Sequence, residues 1–344
     1  MTQHRRLSYR QIDQIDEEQL LDTRLCDLDL SLKNSNLSDY IEVLKEELAE
    51  RGFRFRPHFW ISDEWFSPSG VPGIAVPFFL LHPRLTRIER KYLSQAEGAE
   101  RDNCLKILRH ETGHTIDTAY KLSSRKSWQE IFGNPKKPYP ISYLPKPFSQ
   151  KYVSHLDPWY AQSHPEEDFA ETFAVWMKPR SRWRVRYKKH GALKKLEYVD
   201  SLMQKIANET PKIRSKKSID PLSSIKTTLR EYYATQRKRY GIGEESYYEQ
   251  ELQRLFSSDP AHAKSPPASA FLRKHRKDLR KSISHWTGVH PYTIDMVLDE
   301  MITRCREVKL RAHGREKDLL QQTFVMLAVQ MTHHLHTGRY RITL

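Results

Sequence analysis

His110-Glu111-Thr112-Gly113-His114 lies inside a stretch, Glu100 to Leu122, whose residues Leu105, Leu108, Thr112, Ile116 and Ala119 recur at three- and four-residue steps. That spacing predicts a helix, and no proline interrupts it. On a helix, positions i and i+4 share a face, so the imidazoles of His110 and His114 can reach one ion. The carboxylate of Glu111, beside the first histidine, can then take a proton from a water activated by that ion. By itself, a pair of histidines at this spacing on a surface helix also arises by chance.

A catalytic zinc takes three protein ligands and keeps one position open. The third is therefore sought downstream, in Ser163-His164-Pro165-Glu166-Glu167-Asp168-Phe169-Ala170-Glu171-Thr172-Phe173-Ala174. Ser163 and Glu166 have capping-box spacing and Pro165 suits a first helical turn. Phe169, Phe173 and Trp176 mark the core side of this helix, and Glu167 and Glu171 stand one turn apart on a shared face. Two carboxylates so close repel each other unless something between them is positive. A metal held by Glu167, with Glu171 accepting a hydrogen bond from a ligand histidine, supplies that; a pair of solvated acids is the plainer alternative. His155 and His164 are competing third ligands, although neither has the spacing of other histidine-rich zinc peptidase motifs.

The two segments together resemble the gluzincin zinc peptidases, most closely the anthrax-lethal-factor-like branch and the bacterial "putative zinc-binding metallopeptidases". Those show H-E-x-G-H-x-x-D followed by a helix with E-x-F-A-E-x-F. Here the matching residues are His110 to Asp117 and Glu167 to Phe173. The resemblance covers roughly 53–177. It implies that His110, His114 and Glu167 hold one Zn2+ per chain, with Glu111 as general base. Glu171 and Asp117 would support these residues from behind. It also implies a tyrosine seven positions before the ligand glutamate, facing the zinc, where Tyr160 stands. The implied activity is hydrolysis of a peptide or amide bond.

The rest of the chain sets the frame. At 344 residues it exceeds one ordinary domain. Leu37, Ile41, Leu44 and Leu48 form a helical stripe, with Ser38 able to cap it and Gly52 after it. Phe53 to Ile61 and Ile74 to Leu81 read as strands. Pro77 places the second at a sheet edge, where an extended substrate could add near Ile74 to Val76. Asn134 to Ser149 reads as a long loop, and the polar Asn208 to Ser218 as a linker. The expected architecture is α+β: a zincin-like domain over residues 1–210, with a small twisted mixed sheet on the active-site helix, then an all-helical basic domain over 219–344.

Net charge is +15. It implies attraction to acidic partners, whether nucleic acid, an anionic membrane surface or an acidic polypeptide. The stretch Arg180 to Lys189 mixes arginines with Trp183 and Tyr187, a composition suited to phosphate contact with base stacking or to pairing with carboxylates. A nucleic-acid-associated protein carrying a zincin domain is therefore the alternative to a peptidase. His333-His334-Leu335-His336 lacks a carboxylate partner and reads as a surface tail. No run of about 18 apolar residues indicates a membrane span, and no apolar segment follows Arg5-Arg6 as a signal peptide requires. Cys26, Cys104 and Cys305 are odd in number and far apart, which fits reduced thiols in a cytoplasm.

Overall fold

A computed structural model describes residues 6–343 except 34, 94–95, 141, 144–145, 147–148, 157–158, 240–248, 288, 290 and 338–341. The chain is α+β, mostly helical around a small sheet. It divides into two compact units, one of residues 1–237 with 343–344 and one of 238–342.

The first unit opens with α1 (Tyr9–Gln14), α2 (Glu17–Leu21) and α3 (Asn36–Glu50). Ser35 caps α3, its hydroxyl accepting from the Ser38 amide, so the cap lies three residues earlier than Ser38. The helix ends before Gly52, whose φ of +81° is a conformation that a side chain would strain. Strands β1 (His58–Ser62) and β2 (Gly73–Pro77) then pair in parallel, with Phe59 opposite Ile74 and Ile61 opposite Val76. Every residue of β2 is buried. Its far side is not a free edge at its midpoint. Phe66 forms an antiparallel bridge with Ala75, and the Ala75 amide donates to the Phe66 carbonyl at 2.9 Å. The expectation of an open edge at Ile74 to Val76 is corrected accordingly: Pro77 sits at the strand's end, and the chain's own return segment occupies the ladder position a substrate would use.

After α4 (Pro83–Leu93) come α5 (Arg101–Tyr120) and α6 (Lys126–Phe132), then α7 (Pro165–Met177), α8 (Trp183–Arg186) and α9 (Ala192–Ile206). One apolar cluster joins these elements. It takes Ile41 and Leu44 from α3, Ile74 and Val76 from β2, Leu105, Leu108 and Ile116 from α5, Phe169 and Phe173 from α7, and Leu196 and Val199 from α9. The helix predicted from Leu105, Leu108, Ile116 and Ala119 is thus central, with its apolar residues inside.

The crossing of α5 and α7 depends on Gly113. A Cβ there would lie 2.8 Å from the Ala170 Cα and 3.2 Å from its Cβ. The neighbour is backbone and cannot rotate aside, so α7 would have to move out. Gly113→Ala is expected to cost about 1–3 kcal/mol by overpacking and to weaken metal retention with it. Thermal denaturation and metal content would check this; an unchanged melting temperature would show that the helices separate freely.

The polar stretch at 208–218 lies within the first unit, not between the two. Just beyond it, Trp60 Nε1 donates to the Ile219 carbonyl at 2.8 Å, Ser62 Oγ to the Asp220 carbonyl, and the Leu25 amide to the Thr227 carbonyl. Helix α10 (Leu229–Arg239) follows, with Leu229, Tyr232 and Tyr233 buried.

The second unit contains α11 (Glu249–Leu255), α12 (Ala268–Thr287), α13 (Pro291–Glu307) and α14 (Glu316–Thr337) around a core that includes Leu272, Ile283, Leu298, Met301 and Leu327. Part of its positive charge is matched internally. Arg276 pairs with Asp295 and Asp299, Arg280 with Asp295, and Arg304 with Glu249. The side chains of His333, His334 and His336 lie outside the described residues. No described helix is long and apolar enough to cross a membrane.

Candidate metal centre

Helix α5 carries His110 and His114 on the face toward α7, and α7 returns Glu167 to the same point. His110 Nε2 lies 3.0 Å from Glu167 Oε2, His114 Nε2 lies 3.2 Å from that oxygen, and the two Nε2 atoms are 3.1 Å apart. These form a set able to hold a metal ion. The triangle fits zinc well: ligands about 2.0–2.1 Å from a tetrahedral centre stand about 3.3 Å from one another. Three such atoms are poorly satisfied by protons alone, because two imidazole nitrogens face one another across the triangle.

The electrostatics also favour a cation. Burial works against a charged His110, yet the carboxylates of Glu167 and Glu171 hold its imidazole well above the usual histidine range. Burial opposes charge on His114 too, and Glu167 again raises it. Burial would push Glu167 up, but His114 and His110 hold it well below the usual carboxylate range. The buried carboxylates thus offset the cost of burial and favour positive charge on the two imidazoles that face them.

The remaining candidates fall around this triangle. Glu171 is fully buried; one oxygen lies 3.0 Å from His110 Nδ1 and the other accepts the Leu156 amide at 2.9 Å. A carboxylate at that position accepts a proton from Nδ1 and so leaves Nε2 as the nitrogen available to a cation held between it and Glu167. Tyr160, in a short turn before α7, has its ring 5.5 Å from that of His110. Burial, then Glu167 and Glu111, raise its hydroxyl far above the ordinary tyrosine range, so it stays a proton donor. Glu111 is buried, and its carbonyl accepts from Ser67 Oγ at 3.2 Å. Asp117 is turned to the helix end, where its carboxylate accepts the Ser123 amide at 2.6 Å.

Neither competing histidine joins the triangle. His155 Nε2 is bound to the Lys106 carbonyl at 3.0 Å. His164 has both nitrogens occupied: Nδ1 accepts the Glu166 amide and Nε2 donates to the Lys137 carbonyl at 2.7 Å. It, not Ser163, is the N-cap of α7. The Ser163 hydroxyl instead donates to the Tyr160 carbonyl of the preceding turn, which removes it from the expected capping box.

Residues 93–215 match the family model described as "Putative zinc-binding metallo-peptidase". The match and the His-His-Glu set together fit a zinc metallopeptidase. Neither among curated proteins nor among solved structures does any match this chain. The matched segment holds all of α5 and α7, and with them every residue of the triangle.

Within the same segment lies the basic-aromatic stretch 180–189. Trp183 and Tyr187 are buried in the core, and Arg184 lies over the Trp183 ring while pairing with Asp200 at 2.6 Å. The aromatics are thus packing residues and offer no stacking platform for bases.

One residue that sequence reading passed over is Tyr139, on the loop before α7. Its hydroxyl is 2.9 Å from Glu167 Oε1 and 2.9 Å from Glu166 Oε2. Only its position in a Pro- and Tyr-rich loop was visible in the sequence, and that carries no chemistry.

Proposed function

We propose that this protein is a gluzincin-type zinc peptidase that hydrolyses a peptide or amide bond, with His110, His114 and Glu167 holding one zinc ion. The observation that carries the reading is the triangle of two Nε2 atoms and one carboxylate oxygen, with sides of 3.0–3.2 Å. Bound zinc supplies Lewis acidity, polarising the substrate carbonyl and lowering the pKa of water.

The chain's own residues do the rest. Glu111, next to His110 on α5, receives the proton of the attacking water at its carboxylate and passes it to the leaving amine. Tyr160, held protonated, donates its hydroxyl proton in a hydrogen bond to the oxyanion that develops on the substrate carbonyl oxygen. Glu171 fixes the His110 ring through Nδ1. The low exposure of His110, Glu111 and Glu167 keeps bulk water from the reacting atoms. Asp117 supports the site at one remove by closing the end of the helix that carries both histidines.

The +15 charge supports a preference for acidic peptides. For the nucleic-acid alternative, the burial of Trp183 and Tyr187 removes the aromatic part of the case and leaves charge alone.

The test is to incubate the zinc-loaded protein with a complex peptide mixture and read new termini by mass spectrometry. The expected result is cleavage that stops with a chelator and returns with zinc. Cleavage indifferent to chelator, or equal cleavage by Glu111→Gln, would overturn the reading.

A further inference from the structure

Tyr139 stands on the loop that leaves α6, past Gly133, whose φ of +110° turns the chain where an added Cβ would lie 3.5 Å from the Pro165 ring. Three contacts tie this loop to the start of α7. His164 Nε2 donates to the Lys137 carbonyl at 2.7 Å. The Tyr139 and His164 rings stack with centroids 3.8 Å apart and planes 19° from parallel. The Tyr139 hydroxyl reaches past that stack to the carboxylates of Glu166 and Glu167.

The two oxygens of Glu167 are thereby divided. Oε2 faces His110 and His114, at 3.0 and 3.2 Å. Oε1 faces Tyr139 at 2.9 Å. A free carboxylate near a zinc ion can turn to offer both oxygens, or swing out to water. With Oε1 engaged by a donor, only Oε2 is left to the metal. Tyr139 as a residue is 48% exposed, so its burial alone does not explain the placement. What holds it is the His164 ring, itself buried and with both nitrogens used.

We infer that Tyr139 is a positioning residue for the metal: its hydroxyl donates to Glu167 Oε1, restricts that carboxylate to one ligating oxygen, and so raises metal affinity. The inference rests on the proposed zinc site. It makes the loop 133–139 part of the site, because the hydroxyl that orients the ligand arrives on that loop. Glu166 Oε2 lies at the same 2.9 Å from that hydroxyl, which has one proton for two acceptors; the inference assigns the proton to Glu167 Oε1.

The experiment compares wild type with Tyr139→Phe, which keeps the ring and its stack on His164 and removes only the oxygen. Zinc affinity is read by chelator competition, and the cobalt-substituted proteins are compared by their visible absorption. The expected result is a loss of about 10–100-fold in zinc affinity, the usual consequence of removing a hydrogen-bond partner of a metal ligand. The cobalt bands should also weaken, as a second carboxylate oxygen raises the coordination number, while the melting temperature of the metal-free protein stays unchanged. Equal affinity and identical cobalt spectra in the two proteins would overturn the inference while leaving the zinc site standing. A wild type that takes up neither metal would overturn the site itself, and the inference with it. A merely structural Tyr139 would lower the melting temperature of the metal-free protein and leave the cobalt spectrum of the folded fraction as in wild type, which also contradicts it.

Discussion

Glu111→Gln is expected to keep its zinc and to lose about 10²–10⁴-fold in peptide hydrolysis, the range for removing a general base. The change is one of chemistry and hardly one of shape. Gln fills the same volume beside His110 but cannot accept the water proton. Glu111 is not among the three groups placed to hold a metal ion, so metal content should match wild type. The loss should appear in kcat, because the base acts on the reacting atoms and not on substrate binding. A variant with full zinc and a rate within a few fold of wild type would assign the proton transfer to another group. Loss of zinc together with activity would instead place Glu111 in the metal site.

Arg109→Met is expected to destabilise the first unit by about 3–5 kcal/mol, the cost of breaking a buried ion pair from one side. Arg109 precedes His110 on α5 and points the other way, toward α3. Its guanidinium meets Glu47 in a two-pronged contact, Nε to Oε2 at 2.8 Å and an Nη to Oε1 at 2.6 Å, with the two side chains 7% and 8% exposed. Removing one partner leaves Glu47 buried and unpaired. Replacing both, as Arg109→Met with Glu47→Leu, should recover most of the loss, because two apolar groups carry no desolvation penalty. Denaturant unfolding of the two single variants and the double variant measures this. Additive losses in the double variant would show that the pair has no coupling and that α5 is anchored by apolar packing alone.

The candidate metal-holding set was readable in the sequence because it lies in two short local patterns. His110 and His114 share a face through helical geometry alone, and Glu167 and Glu171 do so one turn apart on a second helix. The structure brings these faces within 3.0–3.2 Å of each other. What the sequence did not show were contacts set by tertiary packing. Tyr139 stands 28 residues from Glu167 and its meaning depends on a loop path no periodicity encodes. Gly113 was legible only as one letter of the H-E-x-G-H pattern, and the approach of Ala170 is what shows why a side chain cannot fit there.

Other misreadings share that cause. Ser163 had the better capping chemistry, but the preceding turn claimed its hydroxyl and the imidazole of His164 took the role. Trp183 and Tyr187 read as aromatics among exposed arginines, whereas the core holds their rings and leaves the cations outside. The strand ending at Pro77 read as an open edge because proline cannot donate to a ladder. Its midpoint is covered by Phe66, a residue whose return path follows from the Ser-Pro-Ser-Gly turn but not from strand alternation. The polar segment 208–218 had the composition of a linker, yet backbone acceptors just beyond it pair with Trp60 and Ser62 of β1.

Whether His110, His114 and Glu167 hold one catalytic zinc is decided by elemental analysis of zinc per chain, on wild type and Glu167→Ala prepared side by side. About one zinc per wild-type chain is expected, the complement of a single three-ligand site, with a steep fall in the variant. Full zinc in Glu167→Ala, or none in a reconstituted wild type, would contradict the assignment.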